Sequence, residues 1–156
     1  MTETARARVT QAMRLRFALE LFLRARLLPL RLRRDLPFDE MLDLATPPAK
    51  MPYRGLSGEE ISAAVHRAVR HPLMMRDRRC LREGVLCFRF LRAAGFEPRL
   101  HFGVDPGSLN ASRLSAHCWV TLDGETLAGA TAIPMVPLHV YPEGTPPQTA
   151  RTTGTG

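Results

Sequence analysis

At 156 residues the chain has room for one domain with a real core and excludes two of ordinary size. Its formal net charge of +7 comes almost wholly from arginine, Lys50 being the only lysine, so charge alone gives no case for nucleic acid. The basic residues fall in two blocks, Arg6 to Arg34 and Arg67 to Arg82, that would attract an acidic peptide, phosphate or membrane surface. Three cysteines without a CxxC pair point to a reducing compartment, and charges interrupting the N-terminal apolar stretch exclude a signal peptide and an integral membrane segment, so a cytoplasmic protein is expected.

Residues Ala5 to Leu28 alternate apolar and arginine positions at helical spacing, which predicts a helix docked through Val9, Ala12, Met13, Leu19, Phe22 and Leu23. Pro29 is expected to end or kink it. From Leu36 to Tyr53, Pro37, Pro47, Pro48 and Pro52 disfavour regular helix over most of the length and predict a wrapping segment. Ser57 and Glu60 have capping-box spacing and open a helix carrying Ile61, Ala64, Val65, Ala68 and Val69 until Pro72 stops it; His66 and His71 fall at its outer face and end. The next helix begins near Cys80 and runs through Val85, Leu86, Phe88 and Leu91 to Ala94, with Gly95 placed for a left-handed C-cap.

Arg99 to Val104 and Ala116 to Leu122 read as strands flanking a polar loop, Asp105 to Ser115. Asp123-Gly124 is a hairpin signal, after which Glu125 to Ile133 should return antiparallel. Prolines and glycines after Pro134 read as connection and tail, and Pro142 to Gly156 is expected to be disordered. The whole predicts an α+β fold in which N-terminal helices and a small antiparallel sheet pack on the Cys80 helix. It divides into a helical and wrapping segment (1–53), a core (54–141) and a tail (142–156).

Cys80 falls in the first turn of its helix, where the helix dipole and free backbone N–H groups favour a thiolate, the nucleophilic form of cysteine; Arg78, Arg79 and Arg82 add positive charge around it. Cys87, two turns on, lies about 10 Å along the axis, too far for a disulfide with Cys80, and its neighbours make it core. On the second predicted strand Cys118 alternates with His117 and Trp119, so only one of Cys118 and His117 can point at Cys80. His117 is the better partner, because an imidazole can take the thiol proton and later protonate a leaving amine. Cys80, His117 and Cys118 lack metal-ligand spacing, so no metal and no cofactor are expected.

The run from Arg79 to Gly124 resembles the transglutaminase-like leader peptidases of lasso-peptide biosynthesis. Cys-Leu opens a helix, Phe-Leu-Arg-Ala-Ala-Gly-Phe closes it, Phe-Gly-Val lies on a strand, and Ala-His-Cys-Trp-Val-Thr-Leu-Asp-Gly follows. The resemblance covers roughly a third of the chain. It implies a papain-like Cys-His-acid peptidase that removes the leader of a precursor peptide so that a macrolactam cyclase can act. Cys80 would be nucleophile, His117 general base, and Trp119 a wall of the substrate site. With no strand-rich recognition module before Cys80, the resemblance implies the stand-alone type, which relies on a separate leader-binding protein. A non-catalytic scaffold for the precursor, or acyl transfer to an amine on the same pair, are the alternatives.

The family's acid is expected about a dozen residues past the histidine, where this chain has Gly129 between Ala128 and Ala130. If Leu122 pairs with Glu125, Ala130 falls opposite His117 and the return strand offers a backbone carbonyl. Asp123 shares a face with His117 but lies roughly 20 Å away along an extended strand. It is therefore the nominal third member beside a working Cys80–His117 dyad.

Overall fold

A computed structural model describes residues 3–33, 35–70 and 78–143. In chain order they form α1 (Glu3–Arg31), α2 (Phe38–Ala45), α3 (Gly58–Val69), α4 (Arg79–Ala93), β1 (Arg99–Val104), a short 3-10 turn (Pro106–Ser108), β2 (Ala116–Leu122), β3 (Glu125–Ala128) and β4 (Val136–Tyr141). The strands make one antiparallel sheet in the order β3-β2-β1-β4. Among the described residues no helix is long and apolar enough to cross a membrane.

The helix α4 is the axis of the molecule. Every residue from Arg82 to Leu91 is buried, the mark of a helix enclosed on all sides. It packs against α1, α2 and α3 and against the sheet, chiefly β2. Such burial would be prohibitive for Arg82 and Arg89 without partners. Arg82 donates to the Val69 carbonyl at 3.2 Å, and Arg89 donates to the Leu44 and Thr46 carbonyls at 3.2 and 2.6 Å. These carbonyls stand at the C-terminal ends of α3 and α2, so two buried guanidiniums satisfy helix ends that lack intrahelical partners. Gly95, at φ +93°, closes α4: its N–H bonds the Arg92 carbonyl and that of Phe96 bonds the Leu91 carbonyl, each at 3.0 Å.

The capping box opening α3 is present as expected, with the Glu60 N–H donating to Ser57 Oγ and the Ser57 N–H to the Glu60 carboxylate. Three expectations need correction. First, α1 buries Phe17, Leu21, Ala25 and Leu28 rather than the predicted face: Leu19, Phe22 and Leu23 are 59%, 52% and 49% exposed. The helix is apolar on two sides, so periodicity did not identify which side meets the core. Pro29 lies within its last turn, where Leu28 and Leu32 are buried and the Leu32 N–H bonds the Leu28 carbonyl. Second, the wrapping segment contains α2, because nine proline-free residues lie between Pro37 and Pro47 and eight of them form the helix. Third, the return strand stops at Ala128, and the stretch assigned to connection contains β4, an edge strand that tolerates Pro137.

The hydrophobic core is continuous from Phe17 on α1 to Ala128 on β3. Phe17 meets Tyr53 and Phe90 edge-on at ring-centroid distances of 5.4 and 5.1 Å, which ties the N-terminal helix to α4. His71, Pro72 and residues 144–156 of the expected tail lie outside the described residues.

Candidate active site

Cys80 is the second residue of α4 and half-buried, whereas Cys87 and Cys118 are buried. Burial and then Glu83 push the Cys87 thiol up to about 12. Burial, then Cys80, Cys87 and Glu83, raise the Cys118 thiol well above its ordinary value. Cys80 is thus the accessible thiol of the three. Arg78 makes no side-chain cap at the start of α4 and no acidic residue occupies the helix's first turn, so Cys80 stands at the positive end of the helix dipole with no carboxylate in that turn. The flanking arginines divide: Arg78 donates to the Leu32 carbonyl at 2.9 Å, Arg82 points into the core, and Arg79 lines the cleft.

That cleft, of about 750 Å³, is lined by residues of α3, by Arg79, Cys80 and Glu83 of α4, by His117 of β2 and by residues 126–130 of and after β3. Cys118 takes the strand face toward α4. A Cβ on Gly84 would come within 2.5 Å of its sulfur, so a glycine is what lets the strand approach the helix. His117 takes the other face and reaches the cleft beside Gly129. Its Nε2 lies 2.7 Å from the Gly129 carbonyl oxygen. A carbonyl only accepts, so Nε2 carries the hydrogen and Nδ1 is the basic nitrogen of the neutral ring. Among the described residues no hydrogen bond joins Cys80 to an imidazole; the two groups line the same cleft.

The carbonyl reaches His117 through a bulge. Leu122 pairs with Glu125 and Thr121 with Thr126 as expected, but Val120 pairs with Ala128, so Leu127 is an extra residue that advances the return strand by one. Ala130 is therefore displaced from its expected place opposite His117. Asp123 and Gly124, at φ +51° and +89°, form the two-residue turn at the far end of β2. Asp123 is exposed there and is not among the cleft residues.

Trp119 lies in a stack of three rings. It sits nearly parallel to His101 at 5.1 Å and to His117 at 6.3 Å. It lines an adjoining hollow of about 190 Å³ that shares Thr126, Gly129 and Ala130 with the cleft. His101 is buried, bonded to the Thr121 hydroxyl at 2.8 Å, and held below the usual histidine range by burial and by Arg99.

Sequence reasoning missed one pair. His66 of α3 also lines the cleft, and its Nδ1 lies 2.9 Å from Oε1 of Glu83, one helical turn after Cys80. The Cys80–Glu83 spacing of three within an apolar helix was the available signal. Among the described residues no group of three His, Cys, Asp or Glu side chains has a metal-binding arrangement.

A family model described as the transglutaminase-like superfamily matches residues 15–136. No curated protein and no solved structure matches the chain. The matched span runs from α1 into the first residue of β4 and takes in the whole cleft, and with it the chain belongs to the transglutaminase-like superfamily, whose members are commonly cysteine peptidases or acyl-transfer enzymes.

Proposed function

We propose that this protein is a cysteine peptidase that removes the leader from a ribosomally made lasso-peptide precursor. The observation that carries the reading is a thiol in the first turn of a helix sharing a cleft with an imidazole whose Nε2 is held by the Gly129 carbonyl. An amide carbonyl is a sufficient third group in papain-like chemistry, where an asparagine side chain does this work. The lasso-peptidase motifs between Arg79 and Gly124 supply the substrate class.

The sequence of events follows from the groups. His117 Nδ1 takes the Cys80 proton, and the sulfur attacks the scissile carbonyl carbon. The oxyanion is stabilised by the free amides of the first turn of α4. The C–N bond breaks, the amine leaves with a proton, and an acyl-thioester remains on Cys80. Water then attacks this carbonyl, giving its proton to His117; the C–S bond breaks and the thiolate recovers a proton from the imidazolium. The substrate is delivered by a separate leader-binding protein, and the product passes to a macrolactam cyclase.

Mass spectrometry of the precursor tests this. Cys80→Ala should abolish leader removal with the fold retained, and Cys87→Ala should keep measurable activity. Leader removal that survives in the Cys80 variant would refute the assignment.

A further inference from the structure

The cleft is lined by two imidazoles on different elements, and they are held differently. His117 on β2 donates to a neutral carbonyl. His66 on α3 is joined through Nδ1 to the carboxylate of Glu83, which is almost enclosed, its side chain 10% exposed against 47% for His66. An ionised carboxylate only accepts, so Nδ1 carries the hydrogen and Nε2 is left as the nitrogen that gains and gives a proton. Glu83 lies three residues after Cys80, which puts carboxylate and thiol on neighbouring positions of one helix face. A peptide bond seated over Cys80 therefore lies in a cleft that both rings line.

Their charge requirements differ too. When His117 takes the thiol proton, the new thiolate is its counter-charge, and an uncharged third group suffices. A group that must carry a proton to the leaving amine has no such partner unless the protein supplies one, and on the α3 side Glu83 does so. Among the described residues, the other charged groups lining this cleft are Glu59 and Arg67 on α3 and Arg79 on α4, and none of them has a hydrogen bond to His66.

Resting on the peptidase reading above, we propose that His66 is a second catalytic acid–base group, which protonates the leaving amine, and that Glu83 is its positioning residue. In this step the proton on His66 Nε2 passes to the amine nitrogen as the C–N bond breaks and its electron pair goes to that nitrogen. The acyl carbon stays on the Cys80 sulfur. His66 is left neutral and recovers a proton from solvent, while His117 gives the Cys80 proton to solvent and so is neutral again before water attacks the acyl-thioester.

Two substrates separate this role from the others. With p-nitrophenyl acetate the phenolate leaves unprotonated, so the burst of p-nitrophenol reports attack by the thiol alone; cleavage of a lasso-precursor peptide requires a protonated amine. His66→Gln should keep the ester burst rate within about twofold of wild type and lower precursor cleavage by at least about tenfold. Glu83→Gln, which retains an acceptor for Nδ1 without the charge, should show the same split with a smaller loss, whereas His117→Gln should lose both reactions. Precursor cleavage by His66→Gln within about twofold of wild type would overturn the proposal, and so would an equal loss of both reactions. A wild-type protein without an ester burst, or a burst persisting in Cys80→Ala, would instead overturn the peptidase reading itself.

Discussion

Gly129 has a φ of +70°, and a Cβ built there would run into the Cys118 carbonyl, so this position accepts no side chain without displacing β2. Restoring the family's acid at that site is then self-defeating. Gly129→Asp should lower the rate of precursor cleavage rather than raise it, because it disturbs the carbonyl that orients His117. Asp123→Asn should change the rate by much less than tenfold, since the turn is kept. A loss in Asp123→Asn matching that of His117→Ala would restore Asp123 to the mechanism. His101 gives a separate expectation for stability. Its pKa is depressed by burial in the folded protein, so the unfolded chain binds the proton more readily and stability falls with pH once pH drops below about 6.5, the ordinary histidine value. Glu20 and Glu60 are held below the ordinary carboxylate value of 4.5. Burial works against the shift at Glu20, where hydrogen bonds from Tyr53 and Arg24 outweigh it; at Glu60 the Ser57 N–H leads. Their acid losses come lower, which leaves pH 4.5 to 6.5 as the window for His101. Urea denaturation across that window should show a slope that His101→Gln reduces.

At the scale of elements, the packing of β2 on α4 turns on one missing methyl. Gly84→Ala would set a Cβ 2.5 Å from Cys118 Sγ and 3.2 Å from Leu100 Cδ1. Overpacking of this kind costs about 1–3 kcal/mol. Removing the sulfur should relieve it, so the penalty measured by chemical denaturation should shrink in a Cys118→Ala background; equal penalties in both backgrounds would locate the strain elsewhere. The helix α4, β1, β2 and the Asp123-Gly124 turn were legible in the sequence because each carries a strong local signal: a C-cap glycine, strict alternation, or a turn dipeptide. Weak local signals explain what was not. An edge strand with Pro137 and little burial resembles a tail, and a bulge at Leu127 leaves no mark of its own. Cys80 and His117 of the candidate site could be read from their motif, but the pairing of His66 with Glu83 could not. They stand seventeen positions apart on two different helices, and only the packing of α3 on α4 makes them neighbours.

Taken whole, the molecule offers a peptide one open cleft at the junction of α3, α4 and the sheet, bordered by Arg67 and Arg79 as well as Glu59. If delivery depends on a separate leader-binding protein, that protein should raise precursor cleavage markedly by positioning the scissile bond over Cys80. Equal turnover with and without it, followed by mass spectrometry, would count against such dependence. The hydrogen bond from His117 to Gly129 has a further consequence for how this site can vary. The third group is a segment of main chain, so no codon specifies its oxygen and no alanine scan can delete it. It changes only if the chain's path changes. Chemical synthesis reaches it by another route: L-lactic acid in place of Ala130 turns the 129–130 amide into an ester, whose carbonyl is the poorer acceptor, and weakens the grip on the imidazole while every side chain of the cleft except the Ala130 methyl's local setting stays as it was.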